Sequence, residues 1–252
     1  MAGQAERTAI VTGGAKRIGA ALCRALAEDG WHLLVHFNRS RSEAEALAAE
    51  LGNARTVAAE LADPDAADTI VGALDGLPPA GLLVNNASLF ALDGADDFTV
   101  ESWDRHMAVN LRAPALLSRA FARVAAEGAV IVNMLDSKLQ APNPDFFSYT
   151  ISRFGLAGVT ELHARFYAQR GIRVCGIAPS VTLVSGPQSR ENFDSVHAMN
   201  ALGRGVRVEE IVAALRFIIA TPTFTGQTIV LDGGQRFLGL PRDVQFLEQS
   251  DE

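Results

Sequence analysis

The sequence predicts a doubly wound α/β domain on a mostly parallel sheet with helices on both faces. Three observations predict it. Short apolar runs alternate with helix-period stretches along most of the chain, the pattern of repeated βαβ units. Several runs are apolar throughout, as strands are when helices cover both faces of a sheet. A glycine-rich turn joins the first run directly to the first helical stretch. The chain has 252 residues and is 48% hydrophobic, enough for one large core, so residues 1–252 are read as a single domain.

The strand candidates are 8–12, 32–37, 56–59, 81–85, 129–134, 173–177 and 228–231. The helical candidates are 18–29, 42–51, 64–74, 102–126, 149–169 and 208–220. After the first strand comes T-G-G-A-K-R-I-G (12–19). Glycines there let backbone N–H groups approach a pyrophosphate at a helix N-terminus. Gly13, Ile18 and Gly19 belong to that turn. Arg17 either pairs with cofactor phosphate or is a solvated helix-start arginine. The second strand ends in H-F-N-R-S (36–40). A fold that prefers NADH usually places an acid here for the ribose hydroxyls, and none is present. Arg39 and Ser40 suit a 2′-phosphate, with Asn38 or His36 alongside, so NADPH is the expected cofactor.

The helical stretch 102–126 carries Asn110 in its interior, where asparagine is a poor helix former. The stretch 149–169 opens with Y-T-I-S-R. Tyr149 and Arg153, four apart, share one helix face. A neighbouring cation favours phenolate, so the phenol is expected to exchange a proton nearer neutral pH. Segment 181–206 has weak periodicity. A loop this long is usually functional, here a substrate loop, the alternative being a surface insertion.

Other features set bounds. A net charge of −7 offers no basic surface for nucleic acid. Apolar runs are too short to span a bilayer. The polar N-terminus lacks a signal-peptide core, which places the chain in the cytoplasm. Cys23 and Cys175 sit in apolar settings and read as buried thiols. Neither they nor the histidines have metal-ligand spacing, so no metal is expected.

Taken together, T-G-G-A-K-R-I-G, L-V-N-N-A-S (83–88), Y-T-I-S-R, I-A-P-S (177–180) and L-D-G-G (231–234) resemble the short-chain dehydrogenase/reductase family over about residues 7–236. The resemblance implies a Rossmann-type, seven-stranded sheet. It implies that Glu60 and Leu61 lie near adenine, that Asn86, Ala87 and Ser88 line the cofactor ribose and phosphate, and that Pro179 and Ser180 form the strand-end cofactor segment. Asn86 in isolation also suits a plain turn. The family's proton machinery falls on Asn110, which kinks its helix and holds a water, and on Tyr149 as general acid. Asp136 stands where the family has serine, and Arg153 where it has lysine. Asp136 also suits a turn cap, with Ser137 supplying the hydroxyl instead.

Arg17, H-F-N-R-S, N-N-A-S, Asp136 and Phe90 resemble the pteridine reductase and dihydromonapterin reductase branch. Phe90 would face a flat heterocycle there, although phenylalanine is more often core. Three functions follow from the resemblance. The first is an NADPH-dependent reductase of a pterin C=N bond or a related carbonyl. The second is a 3-oxoacyl or other ketone reductase. The third, raised by Arg153, is a catalytically silent NADPH-binding sensor. A small-molecule substrate and a homotetramer are expected, since the family packs the helices near 102–126 and 149–169 against their mates.

Overall fold

A computed structural model gives the fold and describes residues 6–184 and 188–247. Seven strands form one sheet in the order β3-β2-β1-β4-β5-β6-β7. They are β1 (Thr8–Val11), β2 (His32–Phe37), β3 (Ala54–Ala58), β4 (Ala80–Asn85), β5 (Ala125–Met134), β6 (Arg173–Pro179) and β7 (Thr228–Leu231). Every pairing is parallel. The helices are α1 (Arg17–Glu28), α2 (Arg41–Leu51), α3 (Ala66–Gly72), α4 (Val100–Met107), α5 (Ala113–Val124), α6 (Phe147–Tyr167), α7 (Arg190–Val196) and α8 (Val208–Ala220).

The strand runs are apolar throughout because alternate residues feed two cores. Ala9, Val11, Leu33, Val35, Leu82 and Val84 pack on one face with α1 and α8. Ile10, Leu34, Leu83, Ile131 and Val174 pack on the other with α3, α5 and α6. Successive strand side chains point to opposite faces, so a strand covered on both sides has no polar register. Each fully buried Leu or Ile contributes about 1.5–3 kcal/mol.

Two expectations need correction. Stretch 102–126 is not one helix. A π-helical segment, Ala108–Arg112, separates α4 from α5, and the last two residues already belong to β5. Segment 181–206 is not simply a loop, because it contains α7. The Ser189 hydroxyl caps that helix by accepting the Asn192 N–H at 3.1 Å. Residues 185–187 of the segment lie outside the described residues.

Below the crevice at the strand ends, a buried polar network fixes the scaffold. The Asn85 amide on β4 donates to Asn133 Oδ1 on β5 at 2.8 Å and to Ser118 Oγ on α5 at 3.2 Å. The Asn133 amide donates to Thr160 Oγ1 on α6 at 2.9 Å. The network ties the ends of β4 and β5 to α5 and α6, with Asn85 Oδ1 left without a partner among the described residues. No helix among the described residues is long and apolar enough to cross a membrane.

Candidate active site

A cavity of about 750 Å³ opens at the carboxyl ends of the strands. In an open α/β sheet this is where the strand order reverses and ligands bind, here between β1 and β4. Gly13, Arg17, Ile18, Gly19, Asn86, Ala87, Ser88, Phe90, Asp136, Tyr149, Arg153, Pro179 and Ser180 all line it.

The β1–α1 turn is built by close backbone packing. Gly13 has φ +60°, and a Cβ there would lie 3.1 Å from Ala87 Cα. A Cβ on Gly19 would lie 2.2 Å from the Gly13 carbonyl oxygen, so no larger residue fits. The Asn86 amide donates to the carbonyls of Thr12 and Gly13 at 2.8 and 3.2 Å. The N–H groups of Asn86 and Ala87 donate to Thr12 Oγ1. Asn86 is therefore a clamp between the two strand ends.

His36 differs from expectation. It is buried. Its Nδ1 accepts the Gly13 N–H at 3.1 Å, and its Nε2 lies 3.0 Å from the Ala59 carbonyl. These bonds require a neutral ring protonated at Nε2, and burial pushes its pKa down. His36 supports the turn from below, and both nitrogens are already used. Arg17 sits in the left-handed region at φ +55°, a conformation unfavourable for a residue with a Cβ. Its guanidinium donates to the Val184 carbonyl at 2.5 Å, joining the glycine turn to the segment 181–206.

Farther along the sheet, the Asn38 amide donates to Glu60 Oε2 at 2.7 Å. Arg39 is exposed and Ser40 half-buried at the start of α2. Leu61, expected near adenine, is buried in the core with Val57 and Ile70; its side chain packs inward because it is apolar. None of these residues lines the cavity around Tyr149.

The end of β5 and the first turn of α6 bring two acids together. Tyr149 Oη donates to Asp136 Oδ2 at 2.6 Å, and the Lys138 N–H donates to Asp136 Oδ1 at 2.8 Å. Arg153 lies over the Tyr149 ring, 5.0 Å from its centroid, a cation–π arrangement. Its guanidinium donates to the Met134 carbonyl at 3.0 Å and to Ser88 Oγ at 2.5 Å. Its buried Nε has no partner among the described residues.

The expected drop in the tyrosine pKa does not occur. Burial and then the Asp136 charge push the phenol up, and Arg153 opposes them with smaller effect. Burial also pushes the Asp136 carboxyl up, against the Tyr149 bond, the Lys138 N–H and the charges of Lys138 and Arg153. Each group retains its proton more strongly than it would in water.

Asn110 lies in the π-helical segment, fully buried. It accepts the Leu89 N–H at 2.8 Å and donates to the Leu89 carbonyl and to Ser152 Oγ at 2.9 and 3.1 Å. It holds the segment after β4 to α6 and touches neither Tyr149 nor Arg153, so it positions the site. Phe90 stacks on Phe146 at 4.1 Å between centroids and meets Tyr149 edge-on at 4.8 Å. Phe146, in the left-handed region at φ +56°, offers α6 no side-chain cap. Asp93 takes that role, its carboxylate accepting the Ser148 N–H at 2.9 Å and its carbonyl the Phe147 N–H at 3.0 Å.

Sequence reasoning missed the C-terminal segment. Gln235, Arg236, Leu240, Arg242, Asp243, Val244 and Gln245 all line the cavity. No motif marks them; only the fold brings them back across the sheet. Lys138, also missed, is buried beside Asp136. Cys23 and Cys175 are free and buried, their thiols pushed up to about 12 and about 11. Among the described residues, no group of three His, Cys, Asp or Glu is placed to hold a metal.

Known proteins are similar to this chain in sequence and fold. The chain is similar to the crystal structure of FolM Alternative dihydrofolate reductase 1 from Brucella canis complexed with NADP, with a TM-score of 0.88 and 36% identity, covering 97% of this chain and 96% of that one. It is 31% identical to D-threitol dehydrogenase of Mycolicibacterium smegmatis over 90% of this chain and 92% of the relative. It is 32% identical to L-xylulose reductase of Mesocricetus auratus over 92% and 97% of the two. The family model for short chain dehydrogenases matches residues 7–194. With the glycine turn, the Asn86 clamp and Tyr149 on α6 all within that span, the chain belongs to the short-chain dehydrogenase family.

Proposed function

We propose that the protein is an NADPH-dependent reductase of a pterin C=N bond or a closely related carbonyl. The observation that carries this reading is the Asp136–Tyr149 pair, 2.6 Å apart, beside the aromatic face of Phe90. A carboxyl in place of the family serine offers a hydrogen-bonding partner to the amino and amide edges of a flat heterocycle. The FolM structure similar to this chain bears the name of a dihydrofolate reductase.

The residues fit the cofactor. The cradle that a Cβ on Gly13 or Gly19 would fill brings backbone close enough for a pyrophosphate. Asn86, Ala87 and Ser88 flank it. Arg39 and Ser40, with no acid at the end of β2, suit the 2′-phosphate of NADPH, and the FolM structure is an NADP complex. When bound, NADPH supplies the hydride.

The chain's own residues manage the proton. The phenol is held neutral by burial and by Asp136, so Tyr149 is a proton donor at neutral pH rather than a phenolate. It donates its Oη proton to the nitrogen or oxygen of the reduced bond. Asp136, within 2.6 Å of Tyr149, returns a proton to the phenolate when the carboxyl is protonated. Arg153 cannot practically release a proton. Its part is to stabilise negative charge on Tyr149 and to hold Ser88 in place.

Two further expectations go with this reading. Ile151, Phe154, Leu162 and Phe166 are exposed along α6, and Phe217 on α8 and Phe237 and Leu238 after β7 are exposed as well. Exposed apolar side chains suit a closed tetramer, and a monomer mass by light scattering would refute it. The free thiols suit a reducing compartment such as the cytoplasm.

A screen following NADPH absorbance, with dihydrobiopterin, dihydromonapterin and a ketone panel, tests the function. Pterin turnover is expected. The names of the sugar and polyol relatives favour a second reading, ketone or polyol chemistry, which wins if only those substrates react. Cofactor binding without turnover on any substrate points to a silent sensor.

A further inference from the structure

Lys138 has no part in the proton chemistry above, yet it is buried and charged. Its ammonium lies 2.8 Å from Asp243 Oδ2, donates to Asn143 Oδ1 at 2.7 Å and approaches the Asp145 carbonyl at 3.4 Å. It also lies over the Phe146 ring, 5.4 Å from its centroid. Asp243 belongs to the C-terminal segment that walls the cavity. The Asp145 carboxylate grips the same segment, accepting the Asp243 N–H at 2.7 Å and the Arg242 Nε–H at 2.8 and 2.9 Å. The Lys138 N–H holds Asp136 Oδ1. One residue thus touches the proton-donating turn through its backbone and the far wall of the cavity through its side chain.

Buried pairs of this kind are weak evidence for stability, since their desolvation offsets much of their attraction. Apolar residues could close the same gap. A charge here has an effect that a leucine would not have, because its field reaches the Asp136 carboxyl that its own N–H holds, and lowers that carboxyl's pKa. The charged and titratable groups acting on Asp136 are Tyr149 and Arg153 from α6 and Lys138 from its own turn; Asp243 pairs with Lys138 from the C-terminal segment but is not among the groups that act on Asp136.

We propose that Lys138 is a positioning residue for the reaction: paired with Asp243, its ammonium fastens the C-terminal wall of the substrate cavity to the Asp136 turn and fixes the orientation of the Asp136 carboxyl. The inference rests on the proposed function for its kinetic readout and stands apart from it for its titration readout. Loss of the ammonium removes a nearby cation, so the Asp136 carboxyl titrates at higher pH. It also frees the wall, and misplacement by an ångström can lower kcat/KM about 10²-fold.

Two variants separate charge from structure. Lys138→Met leaves the buried Asp243 carboxylate without its cation, so its Tm falls. In Lys138→Met/Asp243→Asn no charge is stranded, so Tm returns towards that of the parent. The Asp136 carboxyl is followed by carbon NMR against pH, assigned by its absence in Asp136→Asn, and kcat/KM is measured with dihydrobiopterin. The expected result is that the double variant regains Tm, while its carboxyl titration stays shifted upward and its kcat/KM stays low. A double variant that titrates and turns over like the parent overturns the proposal. If the parent reduces no pterin but the titration still shifts, the substrate reading fails and the electrostatic hold of Lys138 on Asp136 stands.

Discussion

The two ends of the cavity are held together by different physics. At the cofactor end, backbone meets backbone. Gly13 packs against Ala87 and Gly19 against the Gly13 carbonyl oxygen, and neutral amides of Asn86 and Asn110 tie neighbouring loops. At the substrate end, charges separated by about a hundred residues meet. Lys138 reaches Asp243, and Asp145 reaches Arg242. The first end tolerates no added atom; the second is held by paired charges. A rigid cradle suits a cofactor common to a family, whereas a wall held by side chains can be changed by a few substitutions.

The sharpest test lies where the two ends meet. Tyr149→Phe removes one hydroxyl and leaves the glycine cradle intact. Turnover should fall about 10²–10⁴-fold, the usual worth of general acid assistance, with NADPH affinity nearly unchanged by fluorescence titration. Retained turnover would make Asp136 the donor in its place. Gly19→Ala attacks only the cradle. Its Cβ would meet the Gly13 oxygen at 2.2 Å, so the turn must open. NADPH affinity should fall by about 10²-fold, as when a charge-assisted contact is lost, with the far-UV circular dichroism unchanged. Normal NADPH binding would mean that the cradle is softer than its packing suggests.

The glycine turn, its Asn86 clamp and the Tyr149–Arg153 pair are legible because their signals are local. T-G-G-A-K-R-I-G and N-N-A-S lie each within a few residues, and Tyr149 and Arg153 share one helical turn. What is illegible is burial and distance. In H-L-L-V-H-F, His36 reads as a polar strand end, and only the fold shows that it faces inward under Gly13. The phenol's direction of shift was misread for the same reason. Arg153 is visible four residues away, while the burial that outweighs it is a tertiary property. The pairing of Asp145 with Arg242 has no motif at all, because nothing local links residues 97 apart.

Arg39, proposed to meet the 2′-phosphate, extends the comparison beyond the cavity. It is exposed, so its contact with a 2′-phosphate would be partly screened. Arg39→Ala should weaken NADPH by about ten- to a hundredfold, the range for a hydrogen bond to a charged group, and leave NADH unaffected. The ratio of the two dissociation constants measures it. Equal weakening of both cofactors would assign Arg39 to the structure of the turn.

The smallest effect is expected at the clasp on the substrate wall, and it depends on pH. Burial pushes the Asp145 carboxyl up, but the Arg242 guanidinium, the Asp243 N–H and the Lys138 charge together hold it below the usual range. A folded-state pKa below the unfolded value of about 3.9 contributes stability that is fully present above that pH. The contribution is lost as pH falls through the folded value. Asp145→Asn should therefore cost about 1.5 kcal/mol at neutral pH, the low end for a bond to a charged group because Arg242 is half exposed. In a chain of this size that is about 3–6 °C in Tm. The gap between the two proteins should stay constant from neutral pH down to about pH 4 and close below it. A gap that widens in acid would mean that the clasp is not held by the carboxylate, and that the substrate wall, like the cofactor cradle, rests on packing.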